Sequence, residues 1–521
     1  MARSDDGDAL LRVLLVNSNR KRDLLAAPPL GLCYVATAAE AAGHEVRVLD
    51  LCFVGSQSGY ILRKEIDSLK PEVIGLSIRN IDNVNMLHPI SYLPEILQLT
   101  ETIKHCSNAP IVVGGSGASL IPESILKMLG ADYVIVSDGE YAFVGLLACL
   151  ESGESPNCLP GLGSVSGGKF QINEPDLHEF GGLTPDLGRW IDMRKYQQIG
   201  ASYNVQTKRG CRQSCIYCTY NQSIEGNRLR LRSPSDVVDE IEEALFKYRP
   251  KAFEFVDSVF NDPVEHSVEI IEEIIRRPWR AEFTAMGLHP RSLDKKYLDL
   301  MWRAGFRSFM ITPESASDIM LKNYRKGFFK DEVLRAADTV SRTFFAAWWF
   351  FMIGGPGETN QTLQESLDFA LEYLQKKGRP VTNVAHFFVG VRLYPGTKLW
   401  QMAIDSGFVK PESDPVENLW YLSEDLDLDV AAKQMKDAAS LCPEIYLGFD
   451  ERILKFSKFA ALLFDTFKFP RPYWRHFRAA NHVGLKTGLR FMYRPKDMAG
   501  MLRNSLIRQG YRGRLVQSVA I

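Results

Sequence analysis

The sequence predicts an α/β protein built from two successive sets of alternating strands and helices, followed by a mainly helical C-terminal region. Three observations carry that expectation. Short β-branched runs alternate with helical patterns from residue 11 to about residue 150. A Gly/Ser/Pro-rich stretch interrupts the alternation after Glu151, and six further strand-to-helix units can be counted from Val205 onward. Such alternation argues parallel sheets covered by helices. At 521 residues the chain also exceeds one ordinary core, so more than one domain is expected.

Residues 11–16, Leu-Arg-Val-Leu-Leu-Val, read as the first strand and end at Asn17-Ser18-Asn19. Pro28-Pro29-Leu30-Gly31 opens an alanine-rich helix from about Leu32 to Ala42, closed by Gly43. Further strands are expected over residues 46–49, 73–77, 111–113 and 133–136, with helical patterns between most of them, such as residues 93–105. Residues 1–150 therefore read as a doubly wound, Rossmann-like domain, in which ligands bind outside the carboxyl ends of the strands. Those ends are Asn17-Ser18-Asn19, the run from Ser77 to Asn83, and Gly114-Gly115-Ser116-Gly117. The last of these is similar to a nucleophile elbow, but no histidine and acid complete it. Its glycines read instead as close backbone approach to a ligand. Residues 151–201 are expected to be a linker, in which Lys169-Phe170-Gln171-Ile172 can add a small edge strand.

The second set begins near Ser202, where residues 203–207 feed a cysteine-rich loop. A helix is expected from Ser235 to Tyr248, introduced by Ser233-Pro234. Strands follow at residues 253–256, 281–286, 309–311, 348–353 and 383–391. Catalytic groups of β/α barrels sit at the carboxyl ends of strands. Here those ends are Asp257, Glu314 and the turn Gly354-Gly355-Pro356-Gly357-Glu358. That turn lacks the Lys-Ser/Thr of a P-loop, which argues against nucleotide hydrolysis.

Composition bounds the class. Apolar residues make up 45% and charged residues 24% of the chain, as in a globular protein in water. A net charge of −1 gives no general reason to expect nucleic acid as partner. Nine cysteines in so long a chain do not form a disulfide scaffold, and the N-terminal residues have no apolar signal region. Without a run of about 18 apolar residues a membrane span is not expected, so the expected location is cytoplasmic.

The stretch that carries chemistry is Lys208-Arg209-Gly210-Cys211-Arg212-Gln213-Ser214-Cys215-Ile216-Tyr217-Cys218. Its cysteines are spaced C-x₃-C-x₂-C, and thiolates at such spacing let one loop wrap several corners of an iron–sulfur cube. The next cysteine downstream is Cys442, so a [4Fe–4S] cluster held here would keep one iron open. Structural zinc wants four ligands, and no fourth stands nearby. Buried free thiols are the other plain reading.

This triplet resembles the hallmark of the radical S-adenosylmethionine (SAM) superfamily. The resemblance covers about residues 202–422 and implies a partial (β/α)₆ TIM-like barrel as the radical SAM core. It further implies that Cys211, Cys215 and Cys218 hold a [4Fe–4S] cluster whose open iron binds SAM, and that reduction cleaves SAM to a deoxyadenosyl radical. Tyr217 would then meet adenine, and Asp257, Glu314, Gly354 and Gly355 would touch SAM. Helix caps at Asp257 and Glu314, and a plain turn at the glycines, remain the alternatives. An electron donor such as flavodoxin or ferredoxin is also implied.

The preceding domain is similar to the cobalamin-binding domain of the B12-dependent radical SAM class. The matching signs are Pro29-Leu30-Gly31-Leu32, Gly43-His44-Glu45-Val46, Gly114-Gly115 and Gly139-Glu140. Asn17, Ser77, Arg79, Gly114 and Gly115 are the residues implied to face cobalamin. Other cobalamin proteins place a histidine below cobalt, whereas the loop from Asn17 to Arg22 contains none. Arg79 can approach the lower face of a corrin or be a surface arginine at a strand end. By resemblance the enzyme is a methyltransferase acting on an unactivated carbon of a natural-product or lipid intermediate. A radical SAM enzyme without cobalamin (coupling, cyclisation or dehydration) and an iron–sulfur binding or electron-transfer protein are the rival readings.

Two basic stretches complete the sequence. Arg228, Arg230 and Arg232 alternate after the cluster loop; they can neutralise an anionic ligand, though a solvated strand face is the commoner explanation. Residues 423–521 form the C-terminal helical region, with eleven Lys/Arg between Arg471 and Arg514 against one acid, Asp497. Trp474, Phe477, Phe491, Met492 and Tyr493 are interleaved with them. Such a stretch can make peripheral contact with an anionic membrane, or cap the substrate opening with snorkelling arginines.

Overall fold

The computed structural model describes residues 11–20, 27–374, 383–447 and 497–517, with short pieces at 462–464, 466–469 and 476. Two seven-stranded sheets organise it. The first contains β1 (Arg12–Asn17), β2 (Glu45–Asp50), β3 (Val73–Ser77), β4 (Ile111–Gly114) and β5 (Tyr133–Ile135), all parallel. The hairpin of β6 (Leu162–Ser166) and β7 (Lys169–Ile172) adds two antiparallel strands at one edge. The order is β2-β1-β3-β4-β5-β6-β7. Part of the expected linker thus completes the first sheet, and the edge strand expected over residues 169–172 has Leu162–Ser166 as its partner.

The continuous apolar run of β1 follows from burial on both faces, as parallel sheets require. Val13 and Leu15 pack with Ala36 and Phe143 on one side. Leu14 and Val16 pack with Leu62 and Ile96 on the other. Chain order reverses at β1, between β2 and β3, and such a switch point opens a crevice at the carboxyl ends of the strands.

The second sheet runs β18-β15-β14-β13-β12-β11-β8 and is parallel throughout. Its strands are β8 (Tyr203–Val205), β11 (Phe253–Phe255), β12 (Phe283–Leu288), β13 (Phe306–Glu314), β14 (Ala346–Ile353), β15 (Val384–Val389) and β18 (Ile445–Tyr446). Two-residue ladders join β9 (Lys208–Arg209) to β10 (Arg230–Leu231) and β16 (Val391–Arg392) to β17 (Trp420–Tyr421). The six expected β/α units are present as a partial barrel, and the C-terminal region contributes a seventh strand, β18. Phe309, Ile311, Trp349 and Phe351 face the surrounding core. Met310, Trp348, Phe350 and Tyr446 pack together on the opposite, lumenal face.

Beyond Tyr421 the described residues are mainly helical, at Leu428–Leu441, Met498–Arg508 and Arg514–Gln517. Leu502 and Leu506 bury into the barrel's core cluster with Met435. Ser505 donates to the Met86 carbonyl at 2.8 Å, tying this helix to the first domain. Most of the basic, aromatic stretch between Arg471 and Lys496, and nearly all of the apolar pattern at 449–467, lies outside the described residues.

Candidate functional site

The cysteine loop leaves β8 and is pinned before it reaches its first thiol. Asp257, at the end of β11, accepts from the Thr207 N–H at 2.7 Å, the Thr207 hydroxyl at 2.8 Å and the Lys208 N–H at 3.1 Å. Lys208 in turn donates through Nζ to the carbonyls of Phe260 and Asp262. Gly210 has φ +87°, and a Cβ there would run into the Arg228 carbonyl. Its N–H donates to Glu225 at 3.0 Å. Both carboxylate oxygens of Asp257 are therefore committed to the loop's entry, which makes it a positioning residue rather than one free to meet a ligand.

Cys211 and Cys215 are buried and Cys218 is half-buried. Burial pushes Cys211 up to about 11, and the nearby Cys218 and Cys215 push it the same way. Among the described residues no three His, Cys, Asp or Glu side chains converge closely enough to hold one metal ion. Three thiols carried by one loop suit the corners of a multi-iron cluster.

Beside the thiols lies a polar bracket. The Tyr217 hydroxyl donates to Glu314 at 3.0 Å and lies 3.1 Å from Lys326 Nζ, which stands 3.6 Å from the same carboxylate. Glu314 ends β13 at φ +67°, where the ladder to β14 shifts register, a conformation uncommon outside glycine. Burial raises the Glu314 pKa, and Lys326 opposes that rise. For Lys326 burial disfavours the charge, but Cys215 and Glu314 outweigh it and its pKa stands above the ordinary lysine value. Lys326 escapes sequence reasoning because no motif links it to cysteines more than a hundred residues earlier.

The glycine turn after β14 answers to the protein's own packing. A Cβ on Gly354 would strike Leu422, and one on Gly355 would strike the Tyr324 ring. Glu358, fully buried, accepts from the Gly354 N–H at 2.7 Å. Burial pushes Glu358 up to about 8 despite that bond.

The alternating arginines are not a solvated strand face, which corrects that expectation for two of them. Arg230 and Arg232 are 1% and 2% exposed. Arg232 pairs with Glu240 at 2.5 Å, and Arg230 pairs with Asp138 of the first domain. Arg209 joins the same network, contacting Glu140 at 2.6 Å and Asp138 at 3.2 Å. Arg228 alone of the three remains exposed, 3.3 Å from Glu179. A second buried pair, Arg392 with Asp82 at 2.9 Å, also joins the two domains.

These contacts border a cavity of about 710 Å³ between the carboxyl ends of the first sheet and the barrel lumen. Asn17, Ser77, Arg79, Gly114 and Gly115 all line it. Asn17 is buried and bonded to Asp50 at 2.8 Å. The Ser77 carbonyl accepts from the Ser18 hydroxyl at 2.6 Å. Gly115 has φ +95°, and a Cβ there would come within 2.7 Å of the Ile78 carbonyl, whereas at Gly114 a Cβ would meet only ordinary contact. Arg79 is exposed to the cavity, and among the described residues no hydrogen bond or ion pair holds its guanidinium. From the barrel come Asn204, Glu225, Glu254, Met286 and Phe350. Cys211, Cys215, Cys218, Tyr217 and Glu314 do not line the cavity; the cluster loop reaches it through Tyr220, Ile224 and Glu225.

Residues 205–370 match the model of the radical SAM superfamily, and residues 24–147 match that of the B12 binding domain. The chain belongs to the B12-binding-domain radical SAM enzymes. An uncharacterized methyltransferase of Pyrococcus horikoshii is 25% identical over 390 residues, covering 72% of this chain and 78% of that protein. The tryptophan 2-C-methyltransferase of Streptomyces laurentii is 24% identical over 446 residues, covering 74% and 73%. The structure of the radical SAM methyltransferase TsrM from Kitasatospora setae, with cobalamin and a [4Fe–4S] cluster bound, superposes with a TM-score of 0.76 at 21% identity. That superposition covers 91% of this chain and 99% of TsrM and establishes a shared fold.

The residues of this radical SAM enzyme fit the groups that its family uses. Three thiols on one loop suit a cluster, and the Tyr217–Lys326–Glu314 bracket offers both signs of charge to an amino acid. The crevice at the β1/β3 switch point, with open backbone at Gly114, suits a flat macrocycle. Among the described residues no histidine lines the cavity.

Proposed function

We propose that the protein is a cobalamin-dependent radical SAM methyltransferase acting on an unactivated carbon of a small molecule. The observation that supports this reading is the continuous cavity. One cavity meets the strand ends of the B12-binding domain and the lumen of the barrel, so a corrin and a substrate can share it, and the loop that carries Cys211, Cys215 and Cys218 reaches it through Tyr220, Ile224 and Glu225. When bound, the cluster with SAM supplies hydrogen abstraction and the corrin supplies a transferable methyl group.

The chain's own residues then have distinct tasks. Cys211, Cys215 and Cys218 hold the cluster, and Asp257 and Glu225 fix the loop that carries them. Glu314 receives the ammonium of SAM and Lys326 its carboxylate, with Tyr217 between them. Gly354 and Gly355 set the course of the turn beside that bracket through their packing on Leu422 and Tyr324. Asn17, Ser77, Gly114 and Gly115 form a floor for the corrin, and Arg79 stands at its rim as a guanidinium still able to take a partner. The apolar lumen keeps water from the reacting carbon. Electrons come from a small donor protein such as a flavodoxin or ferredoxin.

Anaerobic protein with a reductant and methyl-labelled SAM tests this reading. Both S-adenosylhomocysteine and 5′-deoxyadenosine should form, with label passing to a small molecule from an extract of the producing cells. Deoxyadenosine without S-adenosylhomocysteine would replace methyl transfer by coupling, cyclisation or dehydration.

A further inference from the structure

The floor of the cavity carries a carboxylate that none of the tasks above uses. Strand alternation separates the two faces of β11. Phe253 and Phe255 point outward into an aromatic cluster with Phe283 and Phe306, so Glu254 points into the lumen. Its ladder partners are Asn204 on β8 and Thr284 on β12. The Thr284 hydroxyl is taken by Ser308 at 3.0 Å. Glu254 and Asn204 both line the cavity, and the Asn204 side-chain oxygen is buried without a hydrogen-bond partner. Among the described residues, neither a hydrogen bond nor an ion pair engages the Glu254 carboxylate. Arg79, across the cavity, is the charge that acts on it, and burial outweighs that influence to push Glu254 up to about 7.

The walls above this floor are apolar. Met286 is 37% exposed although it lies on a barrel strand, because it faces the cavity. Met310, Trp348, Phe350 and Phe388 complete the walls. Trp348 and Phe350 are stacked at 5.0 Å, and Phe350 and Phe388 at 6.0 Å. The Asn204 oxygen is buried without a partner and Glu254 opens onto the cavity, so a ligand that displaces solvent from this end must supply donors to both. Aromatic faces and thioethers suit a planar or ring-bearing body, and also attract a cation.

We propose that Glu254 and Asn204 form the recognition end of the substrate site, and that the substrate is a ring-bearing molecule presenting an amine to them. The assignment rests on the methyltransferase reading for the identity of the cavity, and it deepens that reading by disfavouring a purely hydrocarbon lipid. An ammonium beside Glu254 favours its ionised form and makes a charge-assisted hydrogen bond with it, stronger than a neutral pair. A hydrocarbon would leave both acceptors stranded.

The test is equilibrium binding, which needs no turnover. Tryptamine, its uncharged analogue 3-ethylindole and the anion indole-3-propionate are titrated anaerobically into the holoenzyme, with binding followed by isothermal titration calorimetry. Tryptamine should bind more tightly than either analogue. Glu254→Gln should weaken tryptamine at least about tenfold, the effect of losing one hydrogen bond to a charged group, while binding of 3-ethylindole is retained. Asn204→Ala should weaken tryptamine less. Equal tryptamine affinity in Glu254→Gln, a preference for indole-3-propionate, or no tryptamine binding to the wild type would each overturn the proposal. Corrinoid and iron contents of the same samples report separately on the methyltransferase reading.

Discussion

Arg209→Met offers a sharp probe of how the two domains hold the cluster loop. Arg209 stands one residue before Gly210 and two before Cys211, and its guanidinium is bonded to Glu140 and Asp138 of the first domain. It also lies over the rings of Phe180 at 4.3 Å and Tyr34 at 4.9 Å. The side chains of Arg209, Asp138 and Glu140 are each less than a tenth exposed. Replacing the arginine leaves two buried carboxylates to share Arg230, and breaking a buried pair in this way costs about 3–5 kcal/mol. Glu140→Gln in the same background removes one stranded charge and should restore part of the loss. A double-mutant cycle in urea, followed by tryptophan emission, isolates the coupling, and iron content reports the loop. A loss below about 1 kcal/mol, the range of exposed pairs, together with full iron would refute the clamp.

Other outcomes follow from the same structure. Because Glu358 has a folded pKa near 8 against an ordinary value of 4.5, the folded state holds an extra proton between them. Its contribution to stability therefore falls as pH rises through that window, by up to about 1.4 kcal/mol per pH unit. Glu358→Gln should flatten that slope, and parallel slopes in unfolding curves at pH 5 and 8 would contradict the assignment. Lys326→Met removes a buried cation beside the thiols and should move the cluster potential to more negative values in a potentiometric titration; an unmoved potential would place Lys326 outside the cluster's field. Cys211, Cys215 and Cys218 changed together to alanine should abolish bound iron, although Cys33, Cys52, Cys106, Cys149, Cys158 and Cys442 remain. Full iron retention would sink the cluster assignment.

Much of the fold was legible because its signals are local. The apolar run of β1 and the Gly-rich strand ends follow from a parallel sheet buried on both faces, and the cysteine spacing is contained in one loop. What was not legible depends on distant partners. Glu254 in Phe-Glu-Phe looks like any alternating strand residue until its lumenal neighbours are known. Arg230 and Arg232 have the alternation of an exposed edge, yet Asp138 and Glu240 bury them. Asp257 sits where a ligand contact is expected, but Thr207 and Lys208 occupy both its oxygens. Of the β6–β7 hairpin the sequence predicts only β7; β6 reads as linker because its Gly and Ser residues carry the texture of a connection. At two residues, β18 is too short to leave a pattern.

The measurement closest to the central claim is the visible and cobalt-specific spectrum of protein purified anaerobically from cells supplied with cobalamin. A stoichiometric corrinoid band beside the absorption of an iron–sulfur cluster is the expected result. A protein that carries the cluster and cleaves SAM, yet binds no corrinoid from supplied cells or on reconstitution, would contradict the account.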